Sequence, residues 1–159
     1  MTFCREAPVT RSNSPESRSP ALRFLPETMH VGRQLRTYCD ARFKTIGLTL
    51  ARGQVLLHLE AAHGRLPQSE LTTLLDVEHP TAIRLIDSLQ ALGYLQRSPG
   101  ELDRRSKDVV LTEAGTALAN EVRVMTDEII MNVMQEIPEE EVSVARKVMA
   151  SISAKLAAM

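Results

Sequence analysis

Aromatic residues are scarce in this 159-residue chain, which has two Tyr, three Phe and no Trp. A surface that stacks single-stranded bases needs several aromatic platforms, so the composition argues against that class of binding. Cysteine is almost absent as well. Cys4 and Cys39 alone make no disulfide framework, and no Cys–His metal pattern accompanies them. His58 and His63 stand five apart, the wrong spacing for two ligands on one helix face, so no metal site is expected. The chain lacks a nucleophile elbow and a phosphate loop, which predicts a protein that is not an enzyme and carries no cofactor. No run approaches the ~18 apolar residues of a membrane helix. The N-terminus lacks the apolar core of a signal peptide, so a cytoplasmic protein with no membrane partner is expected. A formal charge of −1 gives no global basic footprint. Any contact with nucleic acid must therefore be local.

What is present is ordinary for a globular protein: 43% hydrophobic and 25% charged residues, on a chain long enough for one cored domain. The charge is unevenly spread. Residues 1–52 carry nine Lys/Arg against four Asp/Glu, a net +5; residues 53–112 are −2, and residues 113–159 are −4. A basic beginning and an acidic end attract each other, within one chain or between two, unless they are solvated faces that never meet.

Residues 1–20 are rich in Ser, Pro and Arg without a hydrophobic period, which predicts a disordered tail. Over 21–46, Val31, Leu35, Tyr38, Cys39, Phe43 and Ile46 recur at helical spacing. Pro26 either sits in the first turn or breaks off a short leading piece. Gly47 stops this helix, and Thr49 is placed to cap a second one over about 50–62, closed by Gly64. A third short helix follows from Pro67, with Leu71, Leu74 and Leu75 inward. After Asp76-Val77-Glu78 a fourth helix begins at His79-Pro80, since proline suits a first turn, and ends at Gly93. Two such helices joined by about three residues are a helix-turn-helix candidate.

Tyr94–Arg97 and Asp108–Leu111 read as two strands of a hairpin. Thr112 caps a long helix over 113–136, and Pro138 restarts the chain into a last helix. That helix has Glu139, Glu140 and Glu141 in its first turn, where acids suit the dipole. At ~36 Å the long helix exceeds what a lone small domain covers.

On a helical wheel the fourth helix turns Ala82, Leu85, Ile86, Leu89 and Leu92 to one side. Pro80, Arg84 and Asp87 face the other way, with Thr81, Ile83 and Ser88 at the flanks. Arg84 alone reads equally as a solvated side chain. In a major groove it would reach base edges and phosphates from the helix N-terminal half. The hairpin adds Asp103, Arg104, Arg105 and Lys107, placed as a wing whose arginines suit the negative potential of a minor groove. Asp103 is placed to orient Arg105 through a bidentate pair.

Asp103-x-Arg105-x-x-x-Val109-x-Leu111-Thr112 resembles the wing signature of MarR-type winged-helix transcriptional regulators. Leu48-Thr49 before the second helix and Glu78-His79-Pro80-Thr81 opening the fourth are similar to the SlyA/RovA-like branch. His79 departs from that branch, which usually has Gln there. The resemblance covers about residue 30 to the C-terminus and implies a mainly α fold with a small β-wing. It implies a winged helix-turn-helix lobe at 48–112, with 21–46 and 113–159 as dimerisation helices of a 21–159 domain. As function it implies a homodimer bound to a pseudo-palindromic site in double-stranded DNA, contacted by His79, Pro80, Thr81, Arg84, Ser88, Asp103, Arg104, Arg105 and Lys107. It also implies a site for a small aromatic carboxylate, with Met29, Tyr38 and Leu56 as apolar candidates and Arg33 or Arg36 as carboxylate partner. Two alternatives accompany this reading. One is a winged-helix protein-interaction module without DNA binding; the other is a redox-sensing regulator using Cys39, which otherwise reads as a buried structural thiol.

Overall fold

The computed structural model describes residues 19–100 and 106–159. They form a mainly helical chain with six helices and one three-stranded antiparallel sheet. The chain divides into two compact units between Tyr38 and Cys39, inside the first helix, α1 (Pro20–Lys44). The described part of the first unit is the Pro20–Tyr38 stretch of that helix. Pro26 lies within it and does not end it. Proline removes one i→i−4 hydrogen bond, and the turn that loses it is open to water, with Leu22 64% exposed. Met29, Val31, Leu35 and Tyr38 are exposed too, so this stretch buries no apolar side chain of its own.

The second unit begins with the end of α1, where Phe43 enters the core at 1% exposure. Gly47, at φ +75°, reverses the chain into α2 (Leu50–Ala61). That start is satisfied twice. The Thr49 hydroxyl accepts from the Arg52 amide, and Asp40 Oδ1 accepts from the Leu50 amide at 3.0 Å. Two of the orphan donors of a helix start are thereby filled. Gly53 lies against the Phe43 ring with no room for a Cβ, which sets how closely α1 and α2 pack.

After α2 come β1 (Arg65–Pro67), α3 (Gln68–Leu74) and α4 (His79–Ala91), then β2 (Leu95–Pro99) and β3 (Lys107–Leu111). The sheet order is β1-β3-β2, with Leu66 and Arg97 both opposite Val109. β1 was not expected: three residues ending in proline carry no alternation, and the pairing with β3 spans more than forty positions. The hairpin strands sit slightly off their expected bounds, because Tyr94 is committed elsewhere. Its amide donates to the Leu89 carbonyl at 3.0 Å and its carbonyl accepts from Thr112 at 3.1 Å.

Thr112 opens α5 (Glu113–Met134), its hydroxyl accepting from the Gly115 amide at 3.0 Å and donating to the Gly93 carbonyl at 2.7 Å. Gly115 is pressed so close to the Tyr94 carbonyl that a Cβ would overlap it. The end of α4, the start of β2 and the start of α5 thus form one joint. Arg123 of α5 pairs with Glu60 of α2 at 3.3 Å, and Glu128 pairs with Arg42 at 3.5 Å. Leu56, Leu59, Leu71, Ile86, Leu89, Val109, Val122 and Ile129 fill the core between them. Two leucines read as inward face out instead, Leu74 at 45% and Leu92 at 54% exposure. Both stand where a helix gives out. Leu75, just past the end of α3, takes the buried place, and Gly93 at φ +79° turns the chain beyond Leu92. The last helix, α6 (Glu139–Ala157), contains no buried residue.

Candidate nucleic-acid interface

α4 buries Ala82, Ile86 and Leu89, and this single stripe fixes what the rest of the helix presents. His79, Pro80 and Thr81 form an exposed first turn, and Arg84 follows on the same outward side. The helix has no side-chain cap. The Glu78 carbonyl takes the Thr81 and Ala82 amides at 2.8 and 3.1 Å, so the first turn is closed by backbone alone. Arg84 has no hydrogen-bond or ion-pair partner among the described residues, and its guanidinium is available to an outside acceptor. Beneath this turn lies an open groove of about 640 Å³, lined by Thr72, Thr73 and Asp76 of the α3 side and by Glu78, His79 and Thr81. Asp76, at φ +49°, makes the sharp turn between the two helices.

Ser88 is placed differently from its neighbours. It is half-buried, donates to the Leu85 carbonyl at 2.8 Å and accepts from Arg52 Nε at 3.1 Å. Its hydroxyl joins α2 to α4, which brings Arg52 to the flank of the helix that carries Arg84. Arg52 was not singled out by the sequence, because nothing local shows that its helix crosses α4 there.

Arg97 is a second basic side chain without a sequence signal. From β2 it donates Nε to Gln68 at 2.8 Å, Nη1 to Gln90 at 2.5 Å and Nη2 to Asp87 at 2.6 Å. The only hint in the sequence is that Asp87 and Gln90 share one edge of α4, three positions apart. Arg65 plays a related part toward the turn end of the hairpin, reaching Ser98 of β2 at 3.1 Å and the buried Asp108 of β3 at 3.8 Å. The hairpin narrows where Gly100 donates to the Ser106 carbonyl at 3.0 Å. Lys107 is exposed at the start of β3, next to the turn, and has no partner among the described residues. Asp103, Arg104 and Arg105 lie outside the described residues.

The candidates for a ligand site fall in both units. Leu56 is fully enclosed in the core of the second unit, where packing accounts for it. Met29, Arg33, Arg36 and Tyr38 are exposed on the helix of the first unit. Cys39 packs partly against the second unit's core, and burial pushes its thiol pKa up. An oxidant sensor needs the opposite shift, toward thiolate. Asp40 beside it is held below the usual carboxylate value by the Leu50 amide and by Lys44. Among the described residues no group of His, Cys, Asp and Glu could hold a metal, and no helix is long and apolar enough to cross a membrane.

These side chains make one lobe: an exposed helix with an arginine, and beside it a hairpin with a lysine, neither partnered among the described residues. Its geometry recurs in proteins of known structure. The transcriptional regulator PA3341 is 32% identical, with a TM-score of 0.79 over 86% of this chain and 99% of that one. AbsC, a MarR family transcriptional regulator from Streptomyces coelicolor, gives the same TM-score at 21% identity, over 89% of this chain and 98% of its own. A mutant of MarR from E. coli, solved in complex with operator DNA, superposes with a TM-score of 0.70 at 19% identity, over 85% and 99%. The model of the MarR family matches residues 46–106, the span from the turn before α2 into the hairpin. This chain belongs to the MarR family of winged-helix transcriptional regulators.

Proposed function

We propose that the chain binds double-stranded DNA as a homodimer, laying α4 in the major groove and the hairpin along the adjacent minor groove of a pseudo-palindromic site. One observation carries this reading: the N-terminal half of α4 exposes His79, Pro80, Thr81 and an unpartnered Arg84 together. That is the part of a recognition helix that meets base edges. Arg52 and Lys107 flank it as candidate phosphate contacts, joined by Arg104 and Arg105 on sequence grounds. The DNA complex of the E. coli MarR mutant supports the choice of ligand, since that protein shares the fold.

The dimer rests on α6. A nineteen-residue helix carrying Val144, Val148, Met149 and Leu156, yet burying nothing, is stable only against a partner. A two-fold assembly would also bring chains of +5 beginnings and −4 ends together. Within the family we place the chain nearest the SlyA/RovA-like branch, on Leu48-Thr49 and on the first turn of α4.

The test is a salt titration of binding to duplex DNA. Affinity falls steeply with salt, each phosphate contact adding ~0.9 to the logarithmic slope. A flat profile, or no binding to sites selected from a random pool, sinks the proposal and leaves a protein-interaction module. Light scattering of the free protein at micromolar concentration should give twice the chain mass of 17.7 kDa.

A further inference from the structure

Arg97 belongs to the hairpin by sequence and to the helices by contact. Its guanidinium divides among three acceptors: Gln68 at the start of α3, and Asp87 and Gln90 on the outward edge of α4. The side chain is 23% exposed, whereas Asp87 is 56% exposed. The planar fork has donors that diverge at fixed angles, so meeting three acceptors at once fixes the distances between them. A strand of the wing and both helices of the helix-turn-helix are thereby held in one register.

The pairing also concerns charge. Asp87 lies three residues after Arg84 on the solvent-facing side of α4, where a carboxylate would repel phosphates. With Arg97 at 2.6 Å that charge is matched at its source. Arg84 and Lys107 then stand as the unopposed charges of α4 and of the turn end of β3 among the described residues.

We infer that Arg97 is a positioning residue for DNA recognition, setting α4 against the wing strand and masking Asp87 from the phosphates. The masking rests on the DNA-binding reading above; the positioning does not. Neither role needs Arg97 to touch DNA.

Three variants on the full chain separate these roles. Arg97→Ala lowers duplex affinity by about tenfold, the scale of one unmatched charge at an interface. The salt slope of the variant that also carries Asp87→Asn stays as in the unaltered chain, because no phosphate contact is removed and no unmatched carboxylate remains. Adding Asp87→Asn to Arg97→Ala recovers at least about threefold of the loss, a coupling expected of neighbours but not of a fold defect. Asp87→Asn alone does not weaken binding. A double variant whose slope remains reduced by ~0.9 would make Arg97 a direct phosphate contact and overturn the inference. Failure of Asp87→Asn to recover any affinity overturns the masking. In the DNA-free protein, amide hydrogen exchange should quicken in α3 and α4 of Arg97→Ala while α5 is unchanged. Equal exchange in all three helices overturns the positioning, whether or not the duplex binds. An unaltered chain that ignores the duplex overturns the DNA reading and the masking with it, and the exchange result still decides the positioning.

Discussion

Arg84 and Arg97 stand on neighbouring elements, α4 and β2, and their surroundings give them opposite tasks. Arg84 has no partner to lose among the described residues, so Arg84→Ala leaves the melting temperature unchanged. In the DNA-binding reading it costs about 1–3 kcal/mol of discrimination at the base it meets, the range of one good bidentate contact. Competition between the selected site and single-base variants reads this directly. A helical wheel is enough to find Arg84, because its exposure follows from the Ala82, Ile86 and Leu89 stripe. Arg97 could not be found that way. Its partners lie 29, 10 and 7 positions away, a proximity created only when β2 packs beside α3 and α4.

Asp40 is a residue-scale prediction of another kind. Its carboxylate accepts the Leu50 amide, and this holds the folded pKa below the ordinary 3.8. A depressed pKa contributes stability that is complete above the unfolded value and is lost as the pH falls through the folded one. Asp40→Asn should therefore be less stable than the parent in urea at neutral pH. The two should converge on acidification, as the pH falls through the depressed folded value of the carboxylate. A gap that persists in acid would show that the charge of Asp40 is not what matters.

At the scale of elements, the start of α5 is the most demanding place in the fold. Thr112 caps the helix and at the same time donates to the Gly93 carbonyl, while Gly115 lies against Tyr94. Thr112→Val removes a cap and strands a carbonyl acceptor, a loss of about 1–2 kcal/mol, whereas Thr112→Ser should be nearly silent. Gly115→Ala forces backbone apart and should cost about 2 kcal/mol or more by urea unfolding. The cap was legible because threonine before a periodic apolar run has a local cause. α2, α4 and α5 were legible for the same reason: each carries its own stripe and its own stop. β1 was not, since its pairing partner is remote and its three residues hold no pattern. The outward Leu74 and Leu92 escaped too, because they stand in the last position of α3 and just past the end of α4, where helical spacing no longer decides which side chain meets the core.

At the scale of the whole molecule, apolar surface left over after folding predicts assembly. Val148 and Met149 on α6 are 41% and 44% exposed, on a helix that buries nothing. Replacing both with Glu should yield a monomer by sedimentation. It should also abolish the rise of melting temperature with protein concentration that mass action gives a dimer. A variant that stays dimeric would move the interface elsewhere.

The joint at Thr112 and Gly115 reaches beyond stability. α4 ends at Gly93, α5 begins at Thr112, and a hydroxyl and a carbonyl lock the two ends together. α5 runs on from that joint for ~33 Å, and its Ala119, Val122 and Ile129 stay buried in the same core. A tilt of α5 therefore cannot occur without disturbing that core and the end of α4 together. In the DNA-binding reading, anything that moves α5 also moves the helix that carries Arg84.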